Sequence, residues 1–114
     1  MAFLTAVGTE AWQLERQGDA LIVRFVGHLD ATAGQDSAAA VAASILEHPT
    51  ATDLVLDVEH MSGYAPGARR AWQSELGPHR GRLASVKTRG ASTLVRMGAT
   101  VLGLFLGLGV EHHE

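Results

Sequence analysis

The side chains that could do chemistry in this chain fall into two short stretches. His28 and Asp30 form the first, and Asp57, Glu59, His60 and Tyr64 form the second. An imidazole near a carboxylate can act as a general base or begin a metal site. Each stretch follows an apolar run that reads as a strand, so parallel pairing of the two strands would gather both groups at their carboxyl ends. No HExxH, GxSxG or compact ligand spacing accompanies them. Along an extended segment Asp57 also points away from Leu56 and Val58, so the carboxylates need not share a face. The plainer roles are a helix cap for Asp30, bonds to loop amides for Asp57 and partial exposure for both histidines. No catalytic residue, metal ligand or cofactor is assigned, and enzyme function ranks last.

The elements that must position these residues can be read from the periodicity. Trp12 to Arg16 alternates apolar and polar, as a half-buried edge strand does. Gln17-Gly18-Asp19 supplies a turn, and Ala20 to Val26 reads as a second strand, making an antiparallel hairpin with Arg24 interrupting one face. Gly27-His28-Leu29-Asp30 is expected to break this strand, with Asp30 as the N-cap of a helix. Ala38, Val41, Ala42, Ile45 and Leu46 give that helix one apolar face, and it should end near His48-Pro49. Asp53 to Val58 is a near-continuous apolar run suited to a buried parallel strand. A short turn should follow, with a second helix from Pro66 carrying Ala68, Trp72 and Leu76 on one side and stopping at Gly77-Pro78. Arg82 to Thr88 reads as a fourth strand and Arg89-Gly90 as a turn. Ser92 or Thr93 then caps a last helix over 94–108.

The chain is 114 residues long, which suits one domain with a modest core. It has no cysteine, so disulfides, thiol nucleophiles and zinc-thiolate sites are excluded, in keeping with a cytoplasmic location. Met1 to Thr9 lacks the basic and apolar regions of a signal peptide. The net charge of −3 is unevenly spread, with bases concentrated after residue 65 (Arg69, Arg70, Arg80, Arg82, Lys87, Arg89, Arg96). Such asymmetry suits a basic face for an acidic or phosphorylated partner, or two halves that attract each other in the fold. Few aromatics and a near-neutral balance argue against nucleic acid. Gly63 and Gly67 fit neither Walker nor Rossmann spacing, although an anion could sit on the helix N-terminus near Gly67.

The segment LVLDVEHMSGYAPGARRAW (residues 54–72) resembles the switch segment of STAS domains, the family of the anti-sigma-factor antagonists. The element order strand, strand, helix, strand, helix, strand, helix also matches that family over nearly the whole chain. The resemblance implies an α/β fold, with a mixed sheet of four to five strands and crossover helices, as one domain over residues 1–114 that stops before the family's final helix. It also implies a regulatory or protein-interaction role in place of catalysis. In the family a serine at the loop–helix junction is phosphorylated. Here Gly67 matches that position beside Ala65 and Pro66, so the serine switch does not carry over. The partner-facing surface implied by the resemblance comprises Asp57, His60, Ser62, Tyr64, Gly67, Arg69 and Arg70, with Trp72 anchoring the helix to the core.

From Met97 to Val110 the chain carries no charge. This run is shorter than the ~17–25 residues that span a bilayer, so membrane association is disfavoured, though Arg96 could snorkel if the run extends back to Leu94. Gly103 and Gly107 form a GxxxG pair that permits close helix approach. The plainest role for this segment is a buried third helix. Two rival functions also rest on it. One is homo-oligomerisation through Leu102, Leu104, Phe105 and Leu106. The other is an apolar small-molecule or lipid carrier, in the manner of the CRAL-TRIO proteins of related sheet topology, with the same residues and Gly103 and Gly107 lining a pocket.

Overall fold

The computed structural model describes residues 7–8 and 11–90. Its elements are β1 (Val7–Gly8), β2 (Trp12–Gln17), β3 (Ala20–Leu29), α1 (Ala31–Glu47), β4 (Thr52–Tyr64), α2 (Pro66–Leu76), a 3₁₀ turn (Gly77–Arg82) and β5 (Leu83–Arg89). The strands form one five-stranded mixed sheet in the order β1-β2-β3-β4-β5. β2 and β3 are the expected antiparallel hairpin, turning at Gly18, whose φ of 61° favours glycine. β3–β4 and β4–β5 are parallel. The fifth strand is the short N-terminal β1, paired with β2 through Val7↔Leu14 and Gly8↔Gln13. The expected helix over 94–108, and with it Leu102, Gly103, Leu104, Phe105, Leu106 and Gly107, lies outside the described residues.

Both crossovers advance the chain in the same direction across the sheet, so right-handed connections put α1 and α2 on one face. Leu21, Val23 and Phe25 of β3 and Leu54, Leu56 and Val58 of β4 alternate onto that face and are fully buried beneath the helices. Trp72 is also fully buried. It meets Phe25 edge-on at 5.6 Å, and its Nε1 donates to Ser37 Oγ at 3.1 Å. Ser37 in turn donates to the Gly34 carbonyl at 3.1 Å, so the indole N–H is buried with its hydrogen bonding satisfied. The expected anchoring role of Trp72 is met. α1 and α2 approach so closely that Gly34 lies directly against Ala68, where a Cβ would collide. On the opposite face of the sheet Gln13, Arg24, Val26, Lys87 and Arg89 are exposed.

Two boundaries differ from the sequence expectation. Gly27 does not break the second strand, which continues to Leu29, and the third strand runs on to Tyr64 in place of turning after Val58. The cause is a pair of bulges. Between Arg24↔Asp57 and Val26↔His60, β3 advances two residues while β4 advances three, and the slip recurs between Gly27↔Met61 and His28↔Gly63. Gly27 accommodates this with φ 74°. The extra residues reset the alternation, so Met61 enters the core where His60 would otherwise have pointed.

Candidate functional site

The carboxyl ends of β3 and β4 lead into α1 and α2, and the polar residues singled out above are spread along these segments. Asp30 caps α1, its Oδ1 accepting from Ala33 N at 2.8 Å. The backbone N–H of Ala65 donates to the Leu29 carbonyl at 2.8 Å and ties the start of α2 to the end of β3. α2 has no side-chain cap; Ala65 takes the N-cap position and Pro66 the first turn, where its missing N–H costs nothing. This junction fixes where the first turn of α2 stands relative to the sheet.

Asp57 is 5% exposed, on the face of the sheet away from the helices. Its Oδ1 accepts from Glu59 N at 3.1 Å and its Oδ2 lies 3.4 Å from Arg24 Nε. The carboxylate therefore holds the first bulge in shape, with one oxygen on the bulged backbone and the other on the neighbouring strand. On β5, Arg89 is the register partner of Asp57 on its other side. The bulge leaves Glu59 and His60 both exposed, in sequence, at the rim. Ser62 is exposed and Tyr64 half-buried, packed against the core. His28 is exposed with its Nδ1 facing Gly63, where a Cβ would be 3.4 Å away. The parallel register sets His28 level with Gly63 and Leu29 with Tyr64, but it leaves Asp57 level with Arg24, four residues before His28, so the two chemistry-bearing stretches do not converge. Among the described residues no three His, Asp or Glu side chains are grouped as metal ligands would be.

Gly67 sits under α1. A Cβ there would stand 2.7 Å from the Cβ of Ala31, so the position is closed to any side chain without movement of the helices. Arg69 and Arg70 follow on the outer side of α2, exposed, with no carboxylate within ion-pair distance among the described residues. Sequence reasoning missed the long β4 extension, although apolar Leu29 and Met61, buried at 1% exposure each, were the available signal for it.

No family model matches the chain, and no curated protein matches it in sequence. Its fold does recur among solved structures. An uncharacterized protein of the DUF3478 family from Shewanella loihica PV-4, with a SpoIIAA-like fold, superposes with a TM-score of 0.64 at 15% identity, over 100% of this chain and 90% of that one. A structure named Mglu overlaps 89% of this chain and 19% of its own, with a TM-score of 0.40 at 17% identity. The fold of the chain is SpoIIAA-like, the STAS-type mixed α/β architecture expected from the order of its elements. No helix among the described residues is long and apolar enough to cross a membrane.

Proposed function

We propose that this chain is a regulatory protein-interaction module that docks a carboxylate-rich surface of a protein partner at the carboxyl ends of β3 and β4 and the first turns of α2. The observation that carries this reading is the exposure of Arg69 and Arg70 on the first turns of α2, both without an ion-pair partner among the described residues. Arginine forks suit carboxylates bidentately and lose little orientational freedom on a helix locked by its neighbour. Asp57 shapes the surface from below through the bulge, and Tyr64 braces its edge. With no hydroxyl at residue 67, binding is set by fixed charge and weakens as salt screens it. A cytoplasmic setting suits such a module.

The test is a photo-crosslinker placed at Ser62, with the crosslinked protein identified and its affinity then measured against two variants. Arg69→Ala with Arg70→Ala should lower that affinity by about tenfold or more. Lys87→Ala, on the opposite face, should leave it unchanged. Equal affinity of the double arginine variant and the wild type, with the fold intact by circular dichroism, would remove this surface from consideration.

A further inference from the structure

A cleft of about 450 Å³ opens at the other end of the sheet, between β2 and the C-terminal half of α1. Its volume is in the usual range for small-molecule sites, ~300–1,000 Å³. Leu14, Leu21 and Ala43 give it apolar walls, and Arg16, Ser44, Glu47 and His48 are its polar lining. Arg16 is unusual because it shares the inward phase of β2 with buried Trp12 and Leu14. Its Nη1 donates to Thr52 Oγ1 at 3.2 Å, and its Nη2 to the Ser44 carbonyl at 2.8 Å and Ser44 Oγ at 3.1 Å. A guanidinium has five N–H donors. The remaining ones have no acceptor among the described residues. Partial burial pulls the Arg16 pKa down, against the pull of the Asp19 and Glu47 charges.

Among the described residues no carboxylate pairs with Arg16 within 4.0 Å. Asp19 is occupied by His48 Nε2 at 2.8 Å and Thr50 Oγ1 at 2.9 Å. Glu47, exposed in the last turn of α1, also has no ion-pair partner among the described residues. The cleft therefore presents a cation and an anion that attract each other at a distance but do not touch, above an apolar floor. A simple organic anion would meet the negative charge of Glu47. A simple amine would meet Arg16. A zwitterion satisfies both.

We propose that this cleft binds a free α-amino acid with an apolar side chain. The α-carboxylate accepts from the spare Arg16 donors and the Ser44 hydroxyl, the α-ammonium donates to Glu47, and the side chain packs on Leu14, Leu21 and Ala43. The site lies away from the proposed docking surface and stands or falls separately from it.

Titration of the isotope-labelled full chain with L-leucine, L-leucinamide and isocaproate, followed by backbone amide shifts, tests this. L-leucine should give saturable shifts confined to residues 14–21 and 40–48. L-leucinamide, lacking the carboxylate, and isocaproate, lacking the ammonium, should each bind about tenfold more weakly. Arg16 also ties β2 to α1 and β4, so its removal can disturb folding; Glu47→Gln, at an exposed position, avoids this. That variant should lose about tenfold in L-leucine affinity while isocaproate, relieved of the Glu47 charge, binds at least as well as before. The proposal is overturned if L-leucine gives no saturable shifts at millimolar concentration, if the shifts fall elsewhere, or if Glu47→Gln binds L-leucine as tightly as the wild type.

Discussion

Gly67→Ser would place a hydroxyl where the resembling family has its switch, and the packing of α1 on α2 dictates that the chain resists it. The serine Cβ would start 2.7 Å from the Ala31 Cβ and 3.5 Å from its Cα. Carbon atoms pack best at ~3.5–4.0 Å, so the helices must part by about 1 Å at this point. Forcing an added group into a close contact costs about 1–3 kcal/mol. Serine recovers part of this, since it is roughly 0.5 kcal/mol more favourable in a helix than glycine. The expected net loss is therefore about 1–2 kcal/mol. Ala31→Gly, at the exposed first position of α1, should cost up to about 1 kcal/mol by itself while removing the atom that collides.

Urea unfolding of the two single variants and the double variant measures the coupling. If the clash is the cause, the double variant is less destabilised than the sum of the singles by about 1–3 kcal/mol, with the slope m unchanged. A Gly67→Ser protein that unfolds at the wild-type midpoint, or two losses that simply add, would refute the steric reasoning. The functional consequence would go with it, because the absence of a switch hydroxyl would no longer be enforced by the fold.

Three further outcomes are expected. Thr88 Oγ1 is buried with no hydrogen-bond partner among the described residues, so Thr88→Val should raise stability by about 1 kcal/mol in a chemical melt. Asp30→Ala removes the side-chain N-cap of α1 and should lower stability by about 1 kcal/mol in the same assay. The hydrogen bonds from His48 and Thr50 hold the Asp19 carboxyl below its ordinary range. Its contribution is therefore present above the ordinary carboxylate range and is lost as the pH falls through the depressed folded-state value. Asp19→Asn should accordingly flatten the acid limb of a melting-temperature profile and leave its upper limb unaltered in shape; an unchanged acid limb would count against the link.

The hairpin, both crossover helices, the cap at Asp30 and the buried parallel position of the third strand were legible because each rests on a local signal: alternation, an apolar run, helical spacing, a capping side chain or a proline. The carboxyl ends of β3 and β4 were not, because bulges suspend the period of two on which strand recognition depends. Asp57-Val58-Glu59-His60-Met61 looks like a strand running out into a turn. In the fold it is a strand whose phase has slipped by one residue, and the slip is held by a carboxylate that accepts from the backbone two positions on. Arg16 escaped notice for a different reason: it closes the alternating run of β2, and only the fold places Ser44 and Thr52 around it.

The close contacts between α1 and α2 bear on the proposed docking surface as well as on stability. Gly34 against Ala68 and Gly67 against Ala31 lock the first turns of α2 to α1 at two points one residue apart on α2. The Ala65 N–H bond to Leu29 fixes the same turn to the sheet, and the Gln35–Glu75 bond at 2.9 Å ties its far end to α1. A helix restrained in this way presents Arg69 and Arg70 without first having to be ordered, and that ordering is one of the main costs of association. Loosening either glycine contact should therefore weaken partner binding even with both arginines intact. A variant with a smaller loss of charge but a freer helix would bind worse than charge counting alone predicts.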